Sequence, residues 1–468
     1  MAVSGPTTTT PVRLVALGGL GEIGLNAMIL EYGEHALVID AGVMFPEERS
    51  AGFDLIVPDL SPLAADRCKV VGVVLTHGHD DHIGALPYLL RRFPAPVYGT
   101  EFTLALARRR MREQGIDAEL REIAPRRRFS AGPFEIEPIR VSHSTPDSIA
   151  LAIDTPAGLI VHSGDFKTES DSENGERFDR DRFAELGERG VAMLLSDSTN
   201  AEREGRTPPE SSLRPILREL VSGTRGRFVV SCFSSHIERI RQVAAVSHEM
   251  GRRTVPLGRR MVDSVRLGLE LGYMGLPPGT FIDQAAADSI RPERLTFVAG
   301  GSQGESLSAL VKIATDSHPW ARVAPNDTVV LSSRAIPGNE RSIHSVIDQL
   351  CRRGAEVLYE AVAPVHVSGH ASREELSELI RLTRPKYFVP IHGEYRHLAR
   401  HRALAIEEGM PERNAFLMED GDTLELSAGG ARRGERVKAG RILVSGDARN
   451  FAPMPNAMEV ARFQQTGK

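Results

Sequence analysis

The segment Leu75–Gly84 contains residue types whose chemistry needs an explanation. Its sequence, LTHGHDDHIG, holds three histidines and two aspartates and directly follows the apolar run VVGVVL. Such a run predicts a buried strand, and charged groups at its end are costly unless water or a cation compensates them. Imidazole and carboxylate are common ligands of zinc and manganese. The segment therefore predicts a metal site.

The spacing within this segment follows the pattern His-x-His-x-Asp-His. His77 and His79 are two residues apart, so both can reach one ion from an extended loop. Asp81 and His82 stand at the start of a predicted helix and can turn toward a second ion. Four side chains are too few for two ions, so the pattern requires further ligands elsewhere in the chain.

Three more candidates follow predicted strands. His143 comes after FEIEPIRV, Asp165 after LIVHSG and His392 after KYFVP. A sheet gathers groups from the carboxyl ends of its strands into one cleft, which would then hold five histidines and two carboxylates. Taken singly, His143 and His392 are as consistent with ordinary hydrogen-bonded histidines as with metal ligands, and Asp165 is as consistent with a turn aspartate. Asp40, which closes LVIDAG, is predicted to hold a histidine by its second ring nitrogen.

The first 200 residues predict a layered α/β domain. Strand-like runs include VRLVALGG, VVGVVLTH and two hairpins with turns at YGEH and TPAG. Apolar-periodic segments such as IGALPYLLRRF and EFTLALARRRMREQG follow strand ends and predict helices that cover the sheet. The positions of these elements place the candidate ligands at strand ends.

The middle of the chain differs in character. From about Thr199 it has Arg-rich helices, Pro/Gly-rich joints and separate strands such as RFVVSCF and DTVVLSS, which predicts a second α/β domain. Residues 201–360 carry 21 Lys/Arg against 18 Asp/Glu, although the whole chain has a net charge of −5. Within them, GRRTVPLGRR is consistent with either a phosphate-facing patch or a solvated basic surface. After about Ala361 the chain returns to the earlier style, which predicts an insertion.

Composition limits the other classes of function. The three cysteines, Cys68, Cys232 and Cys351, have no CxxC spacing, so we expect neither a disulfide framework nor a thiolate zinc site. The N-terminal sequence MAVSGPTTTT lacks the features of a secretory signal, and no apolar run has the length of a bilayer span. We expect a cytoplasmic protein in a reducing setting.

These residues together resemble a known family. The His-x-His-x-Asp-His pattern with His143, Asp165 and His392 resembles the metallo-β-lactamase fold, and the middle segment resembles its β-CASP nucleic-acid-processing branch. The chain is most similar to bacterial ribonuclease J, from about Pro11 to about Val444. The stretches that carry the resemblance are GGLGEIGLN, THGHDDHIGALPYLL, SHSTPDSIALAI, SGDFK, SDSTNAEREG, FSSHIERIRQV, AGGSQGES, SSRAIPGNE, VHVSGHASREEL and PKYFVPIHGEYRHL.

The resemblance implies a fold and a domain order. We expect an α/β chain with a metallo-β-lactamase αββα sandwich formed by residues 1–198 and 361–445, and an inserted β-CASP α/β domain at 199–360. Residues 446–468 would be a tail, where the family usually continues into a C-terminal domain of about a hundred residues.

The resemblance also implies roles for single residues. His77, His79 and His143 would hold one divalent ion, Asp81, His82 and His392 a second, and Asp165 would bridge the two ions. Zinc is favoured, with manganese as the alternative. Asp197 of SDST and His370 of VSGHA match the catalytic β-CASP positions beside the metals.

Two short loops match the family's phosphate-binding positions. These are the GSQG loop (Gly301, Ser302, Gln303, Gly304) and the SGHA loop (Ser368, Gly369, His370, Ala371). Without the resemblance, GGSQGE is equally consistent with an ordinary glycine turn, and His370 with an ordinary histidine. One position departs from the family: the stretch usually reading GRSM is GRRM here, with Arg260 in place of the serine.

The resemblance implies a function. We expect a metal-dependent 5′-to-3′ exoribonuclease with endonuclease activity on single-stranded RNA, in rRNA processing and mRNA decay. It would prefer a 5′-monophosphate, form a homodimer and associate with other RNA-decay proteins. The alternatives are a β-CASP nuclease that acts on DNA, a metallo-β-lactamase-fold hydrolase of thioesters or lactams, and a catalytically idle RNA-binding scaffold.

Overall fold

The computed structural model describes most of the chain. Described are residues 10–45, 53, 55–64, 68–169, 177–305, 307–336, 338–445 and 451–453. Every statement below concerns these residues.

The first part of the chain contains thirteen described strands and four α-helices. The strands are β1 Val12–Gly18, β2 Leu20–Gly21, β3 Ala27–Tyr32, β4 His35–Ile39, β5 Leu55–Pro58, β6 Lys69–Val74, β7 Val97–Gly99, β8 Leu120–Glu122, β9 Phe129–Ala131, β10 Phe134–Arg140, β11 Ile149–Thr155, β12 Gly158–His162 and β13 Val191–Asp197. The helices are α1 Asp80–Ile83, α2 Leu86–Arg92, α3 Glu101–Glu113 and α4 Arg180–Arg189. Both predicted hairpins, β3–β4 and β11–β12, are confirmed.

The middle part alternates strands and helices. The strands are β14 Phe228–Ser231, β15 Arg253–Leu257, β16 Leu295–Ala299, β17 Thr328–Leu331 and β18 Glu356–Leu358. The helices are α5 Leu213–Gly223, α6 Ile237–Glu249, α7 Arg259–Glu270, α8 Ala309–Ala314 and α9 Glu340–Arg352.

The last part returns to the first sheets. Its strands are β19 Tyr387–Ile391, β20 Gly393–Glu394, β21 Thr423–Ser427, β22 Gly430–Arg433, β23 Arg441–Val444 and β24 Phe451–Pro453, and its helices are α10 Arg373–Thr383 and α11 Tyr395–Glu407. Short 3₁₀ helices occur at Ser61–Ala64, Glu210–Ser212, Gln284–Ser289, Pro292–Arg294 and Glu412–Asn414.

Two sheets face each other across one apolar core. The first has the order β22-β21-β1-β3-β4-β6-β7-β8, and the second β19-β13-β12-β11-β10-β9. Strand β1 shows how the layers form, because side chains alternate along a strand: Leu14 packs between the sheets, whereas Val15 packs on the opposite face with α2 and α3. In the second sheet, Leu151 faces the first sheet and Ala152 faces the layer of α4 and α10. This is the expected αββα sandwich.

The insert is built on a separate sheet. Its five strands are all parallel, in the order β15-β16-β14-β17-β18. Apolar clusters cover both faces, which is why FVVS and TVVL read as continuous apolar runs rather than alternating ones. Phe102 of α3, from the sandwich, lies within one of these clusters. The insert therefore shares core with the first domain.

The predicted bounds of the insert at residues 198 and 360 stay a prediction. Val365 and Val367 still pack in the core of the insert. The chain joins the second sheet of the sandwich again from Ala371 onward, where α10 packs with α4. Most of the predicted tail lies outside the described residues, namely 446–450 and 454–468, while β24 pairs with β23.

Among the described residues, none of the helices combines the length and apolarity that crossing a bilayer requires.

Candidate metal centre

The second sheet delivers three candidate residues to one edge. Strands β12, β13 and β19 run parallel to one another. Asp165 follows β12, Asp197 is the last residue of β13 and His392 follows β19. Since the carboxyl ends of parallel strands meet at the same edge, these side chains lie together. The sequence placed Asp165 and His392 at strand ends, whereas Asp197 was implied only by the family resemblance.

The first sheet positions Asp40 and the segment His77–His82. Strands β4 and β6 are parallel, and they end just before Asp40 and Thr76. After β6 the chain forms the loop His77–His79 and then the one-turn helix α1, which carries Asp81 and His82. Asp40 and His392 both have a left-handed backbone, with φ of 59° and 52°. Such conformations in residues other than glycine are costly and cluster at functional sites.

Three histidines and one aspartate form the first group of donors. His79 Nδ1 lies 3.0 Å from His77 Nε2 and 3.1 Å from His143 Nε2. Asp165 Oδ2 lies 3.6 Å from His77 Nε2. Burial lowers the pKa of all three imidazoles, that of His79 to about 4 and those of His77 and His143 well below the usual value. The histidines are therefore held in the neutral form that binds metal.

A second group shares Asp165 with the first. His82 Nε2 lies 3.2 Å from Asp165 Oδ2, and His392 Nε2 lies 3.4 Å from Asp81 Oδ2. Burial opposes charge on these histidines, but the surrounding carboxylates outweigh it and raise the pKa of His392 to about 10 and that of His82 well above its usual value. The group therefore favours positive charge at its centre.

In each of the five histidines, one ring nitrogen, here called the outer nitrogen, contacts a supporting residue. The other ring nitrogen therefore faces the metal groups. His82 Nδ1 donates to Asp40 Oδ2 at 2.8 Å, and His143 Nδ1 donates to the Gly369 carbonyl at 2.8 Å. The other three contact hydroxyls: His77 Nδ1 contacts Thr76, His79 Nε2 contacts Ser144 and His392 Nδ1 contacts Thr199. Each ring thus has a hydrogen-bond partner on the outer side, which leaves a lone pair for the interior.

This arrangement fits divalent cations. Seven donors form two groups within which the ligand atoms lie within 4.8 Å of one another, and Asp165 belongs to both: His77, His79, Asp81, His82, His143, Asp165 and His392. Asp165 and His392 also form a third group of this kind with Asp197 and His370. In the first group three ring nitrogens face each other at close range, which is unfavourable for bare lone pairs. A cation removes that repulsion and takes the place of the protons that the second group would otherwise attract.

Asp40 occupies the position predicted for it. Besides its contact to His82, it accepts hydrogen bonds from Thr76 N and Thr76 Oγ1, both at 2.8 Å. Its carboxylate therefore orients His82 from behind the group and does not point into it.

His370 and Asp197 lie beside the metal groups. His370 Nδ1 donates to Asp197 Oδ2 at 2.7 Å and lies 4.0 Å from Asp165 Oδ2. Burial alone would raise the pKa of Asp197, but the imidazole of His370 outweighs this and lowers it. The side chain of His370 is 19% exposed, whereas Asp197 is buried. His370 is therefore the member of this pair that a substrate can reach.

The SGHA loop is tied to both the metal groups and the insert. Ser368 Oγ accepts from Asn200 Nδ2 at 2.9 Å, and Ala371 N donates to the Phe166 carbonyl. A Cβ on Gly369 would lie 2.8 Å from the ring of His143. Only glycine therefore allows this approach.

The GSQG loop lies in the insert. Gln303 donates to the Arg334 carbonyl and accepts from Ile336 N, each at 2.8 Å, and Ser302 is buried beside it. Gly301 and Gly304 have φ of 106° and 78°, and a Cβ on Gly304 would lie 2.7 Å from Ser342 Cβ. The loop is therefore rigid and small by necessity.

Hydrogen bonds connect the GSQG and SGHA loops across the two domains. Arg334, whose carbonyl binds Gln303, donates from Nη1 to Asn200 Oδ1 at 3.3 Å. Asn200 Nδ2 in turn donates to Ser368 Oγ and to the His370 carbonyl. The two candidate phosphate loops are therefore mechanically linked.

The basic stretch GRRTVPLGRR is not one surface patch. Arg252 is buried and donates to the carbonyls of Thr224, Gly226 and Leu295. Arg260 instead pairs with Asp80 of the sandwich at 2.9 Å. Both interpretations of this stretch, a phosphate-facing patch and a solvated basic surface, are wrong for Arg252, because its guanidinium is buried and donates to backbone carbonyls inside the insert.

Sequence reasoning missed several residues that support the site. Asn26 Nδ2 lies 3.0 Å from His82 Nε2, and Thr199 Oγ1 donates to Asp197 Oδ1 at 2.8 Å. Asn200 was missed as well. Thr199 and Asn200 directly follow SDS in the sequence, so their proximity to Asp197 was the available signal. Asn26 ends GGLGEIGLN, one of the stretches that carry the family resemblance, but its approach to His82 depends on tertiary packing.

Comparisons with known proteins agree with this geometry. Residues 20–203 match the sequence profile "Metallo-beta-lactamase superfamily", residues 225–350 match "Ribonuclease J, beta-CASP domain" and residues 354–417 match "Zn-dependent metallo-hydrolase RNA specificity domain". A solved structure, "Crystal Structure of a Protein of Unknown Function from Enterococcus faecalis V583", shares the fold with a TM-score of 0.59 at 16% identity, covering 89% of this chain and all of that one. Fold and site define a metallo-β-lactamase-fold protein with a β-CASP insert.

Proteins that are similar over nearly the whole chain show which family of β-CASP proteins it belongs to. The chain is 42% identical over 436 residues to ribonuclease J of Helicobacter pylori (strain ATCC 700392 / 26695), covering 92% of this chain and 63% of that protein. It is 40% identical to ribonuclease J of Synechocystis sp. (strain ATCC 27184 / PCC 6803 / Kazusa), covering 94% and 69%, and 39% identical to that of Mycolicibacterium smegmatis (strain ATCC 700084 / mc(2)155), covering 94% and 79%. The chain belongs to the ribonuclease J family. It spans less than two thirds of the length of the Helicobacter relative.

Proposed function

We propose that this chain is a metal-dependent ribonuclease that hydrolyses single-stranded RNA from the 5′ end and also cleaves internally. The observation that carries the proposal is the set of five histidines, each held by an outer hydrogen bond, whose remaining nitrogens converge with Asp81 and Asp165. Membership of the ribonuclease J family supports RNA as the substrate.

Two divalent ions, with zinc favoured and manganese as the alternative, are proposed for this site. His77, His79 and His143 would hold one, Asp81, His82 and His392 the other, and Asp165, which lies in both groups, would contact both. Such ions supply charge neutralisation at the phosphodiester and activation of water for hydrolysis. The neutral state of His77, His79 and His143 suits zinc, which binds imidazole readily.

His370 is proposed as the residue that contacts the scissile phosphate. Asp197 accepts a hydrogen bond from the Nδ1–H of His370, so Nε2 faces the substrate and can act as a donor when the ring is protonated. From there it would stabilise the phosphate or protonate the departing 3′-oxygen, which suits an imidazole near neutral pH. The partial exposure of His370 supports this role.

The GSQG and SGHA loops are proposed to bind the 5′-phosphate. The Gln303–Arg334–Asn200–Ser368 connection supports a shared pocket between them. A small pocket of this kind would accept one phosphate and disfavour the charge and bulk of a triphosphate.

The cellular setting follows from the same proposal. A 5′-to-3′ ribonuclease of this family would act in the cytoplasm on rRNA precursors and mRNA, as a homodimer. Single-stranded RNA would pass between the sandwich and the insert and be bound mostly through its backbone.

The test compares one RNA with three different 5′ ends. Initial rates are measured on RNA bearing a 5′-hydroxyl, a monophosphate or a triphosphate, for the parent, Gly304→Val and the matched control Gly300→Val. A Cβ on Gly300 meets nothing within 4 Å, unlike one on Gly304. The parent should prefer the monophosphate and release mononucleotides. Gly304→Val should lose that preference while internal cleavage persists.

Other outcomes would select other functions. A parent that ignores the end group and yields only internal fragments is an endonuclease. Equal digestion of matching DNA would favour a DNA-acting β-CASP nuclease. RNA binding without hydrolysis under full metal occupancy would favour an idle scaffold.

A further inference from the structure

Asp80 joins the sandwich to the insert at the candidate metal loop. It lies between His79 and Asp81, yet it belongs to neither metal group. Its Oδ1 pairs with Arg110 of α3, and its Oδ2 pairs with Arg260 of α7 at 2.9 Å. Arg260 is 180 residues away in sequence and stands where the family usually has serine.

Helix α3 lies between the same loop and the same part of the insert. A Cβ on Gly78 would lie 2.6 Å from Leu106 Cδ1, so α3 packs tightly against the loop. On its other side, Arg109 pairs with Asp263 of α7 at 3.1 Å, and Phe102 contacts Tyr273 with ring centroids 5.6 Å apart. A shift of the insert would therefore move α3 and the loop together.

We propose that Asp80, Arg110 and Arg260 are positioning residues that couple the placement of the insert to the geometry of the loop His77–His82. This inference rests on the proposed nuclease function. The three side chains touch neither substrate nor reacting atoms, and they act through the backbone that carries His79, Asp81 and His82.

The local structure explains why such a restraint is needed. Helix α1 has only four residues, so its own hydrogen bonds fix it poorly. Within the sandwich the loop is anchored by Val43 N, which donates to the Asp80 carbonyl, and by Asn26 N, which donates to the Asp81 carbonyl. Two charge-assisted bonds to the Asp80 carboxylate add a restraint from α3 and one from the insert.

A different role for Arg260 makes an opposite prediction. Its side chain is 48% exposed, so it could instead bind an RNA phosphate directly. Neutralising Asp80 would then release Arg260 for RNA and tighten binding. In the positioning role, neutralising Asp80 would damage the loop at least as much as removing Arg260 does, because the contact to Arg110 is lost as well.

The experiment compares Arg260→Ser, Asp80→Asn and the double variant. The matched control is Arg259→Ser, because Arg259 is the exposed neighbour on the same helix and makes no ion pair within the described part of the chain. Measured are kcat and KM on single-stranded RNA, metal loss to a chelator, and RNA binding by the metal-free protein at several salt concentrations. Melting curves show whether each variant folds. If Asp80→Asn fails to fold, Arg260→Ser alone still tests the proposal, because Arg260 is exposed and its replacement leaves the core intact.

We expect each single variant to lower kcat about tenfold and to lose metal faster to the chelator. Small displacements of the metal ligands reduce both the rate of reaction and the affinity for metal. KM, metal-free RNA binding and its salt dependence should stay near those of the parent. The double variant should be no worse than Asp80→Asn, which already loses the contacts to both Arg110 and Arg260. Arg260→Lys should recover most of the lost kcat, and Arg259→Ser should match the parent.

Three results would overturn the proposal. These are tighter RNA binding by Asp80→Asn, a drop of about one in the salt slope for Arg260→Ser, and additive losses in the double variant. A parent that fails to cleave RNA would refute the proposed function instead. Metal loss to the chelator would still test the coupling in that case.

Discussion

At the scale of single residues, the candidate histidine ligands are oriented by hydrogen-bond partners on the side away from the metal groups. His77, His79, His82, His143 and His392 each contact a hydroxyl, carboxylate or carbonyl with the outer ring nitrogen. The residue types and their places at strand ends were readable from the sequence. The outer partners were not, because Thr76, Ser144 and Thr199 are common residues whose role depends on where the folded chain brings them.

Asp81→Asn tests the second metal group. The amide is a poorer ligand than the carboxylate, and Asp81 Oδ2 is the contact that His392 Nε2 faces at 3.4 Å. We expect hydrolysis to be abolished while RNA binding largely persists, since the loops of the insert are unchanged. Turnover, metal content and RNA binding are measured together, with the exposed Asp117→Asn as the control. Parental turnover at full metal occupancy would contradict the assignment.

His370→Ala tests the residue beside the phosphate. We expect turnover to fall by about 10²–10⁴ with metal content nearly unchanged, because the side chain assists proton transfer without holding the ions. Metal analysis and single-turnover rates measure this, and His344→Ala on the exposed side of α9 is the control. An equal loss of metal would instead make His370 a ligand.

At the scale of elements, helix α10 fixes two site loops through one buried side chain. Glu375 accepts hydrogen bonds from Thr168 N and Thr168 Oγ1 with one oxygen, and from Thr207 N and Ser372 N with the other. These donors belong to the segment after Asp165, the entry to the insert and the end of the SGHA loop. The carboxylate therefore joins three segments that are distant in sequence.

Glu375→Gln should destabilise the protein by about 2 kcal/mol, because the new amide group must face backbone donors that then lose their acceptor. Denaturant unfolding of the metal-loaded protein measures the change in the free energy of unfolding. Glu374→Gln is the matched control, because that neighbour is exposed. Equal stability of both variants would show that the four contacts contribute little.

The sequence predicted some elements better than others. Hairpins β3–β4 and β11–β12 and helices α2 and α3 were readable, because their period and turn residues are local signals. Strands β15 and β18 were not singled out, since neither RTVPL nor EVL stands out against its surroundings. They are strands because the neighbouring parallel strands pair with them.

At the scale of the whole molecule, the relation between the two domains was not readable from the sequence. Phe102 packs in the core of the insert, and Arg260 reaches Asp80, although composition only indicated that the middle of the chain is different. Contacts over such separations depend on the packed fold and leave no local pattern. The candidate metal ligands could be proposed from the sequence because several of them share one short motif.

The most direct test of the account is metal-dependent digestion of RNA beside DNA. The protein is stripped of metal with a chelator, and activity on a 5′-monophosphorylated single-stranded RNA and on DNA of the same sequence is followed before and after zinc or manganese is returned. We predict that RNA is degraded to mononucleotides only when metal is present, while the DNA stays intact. Hydrolysis that persists without metal, or equal digestion of both strands, would contradict the account.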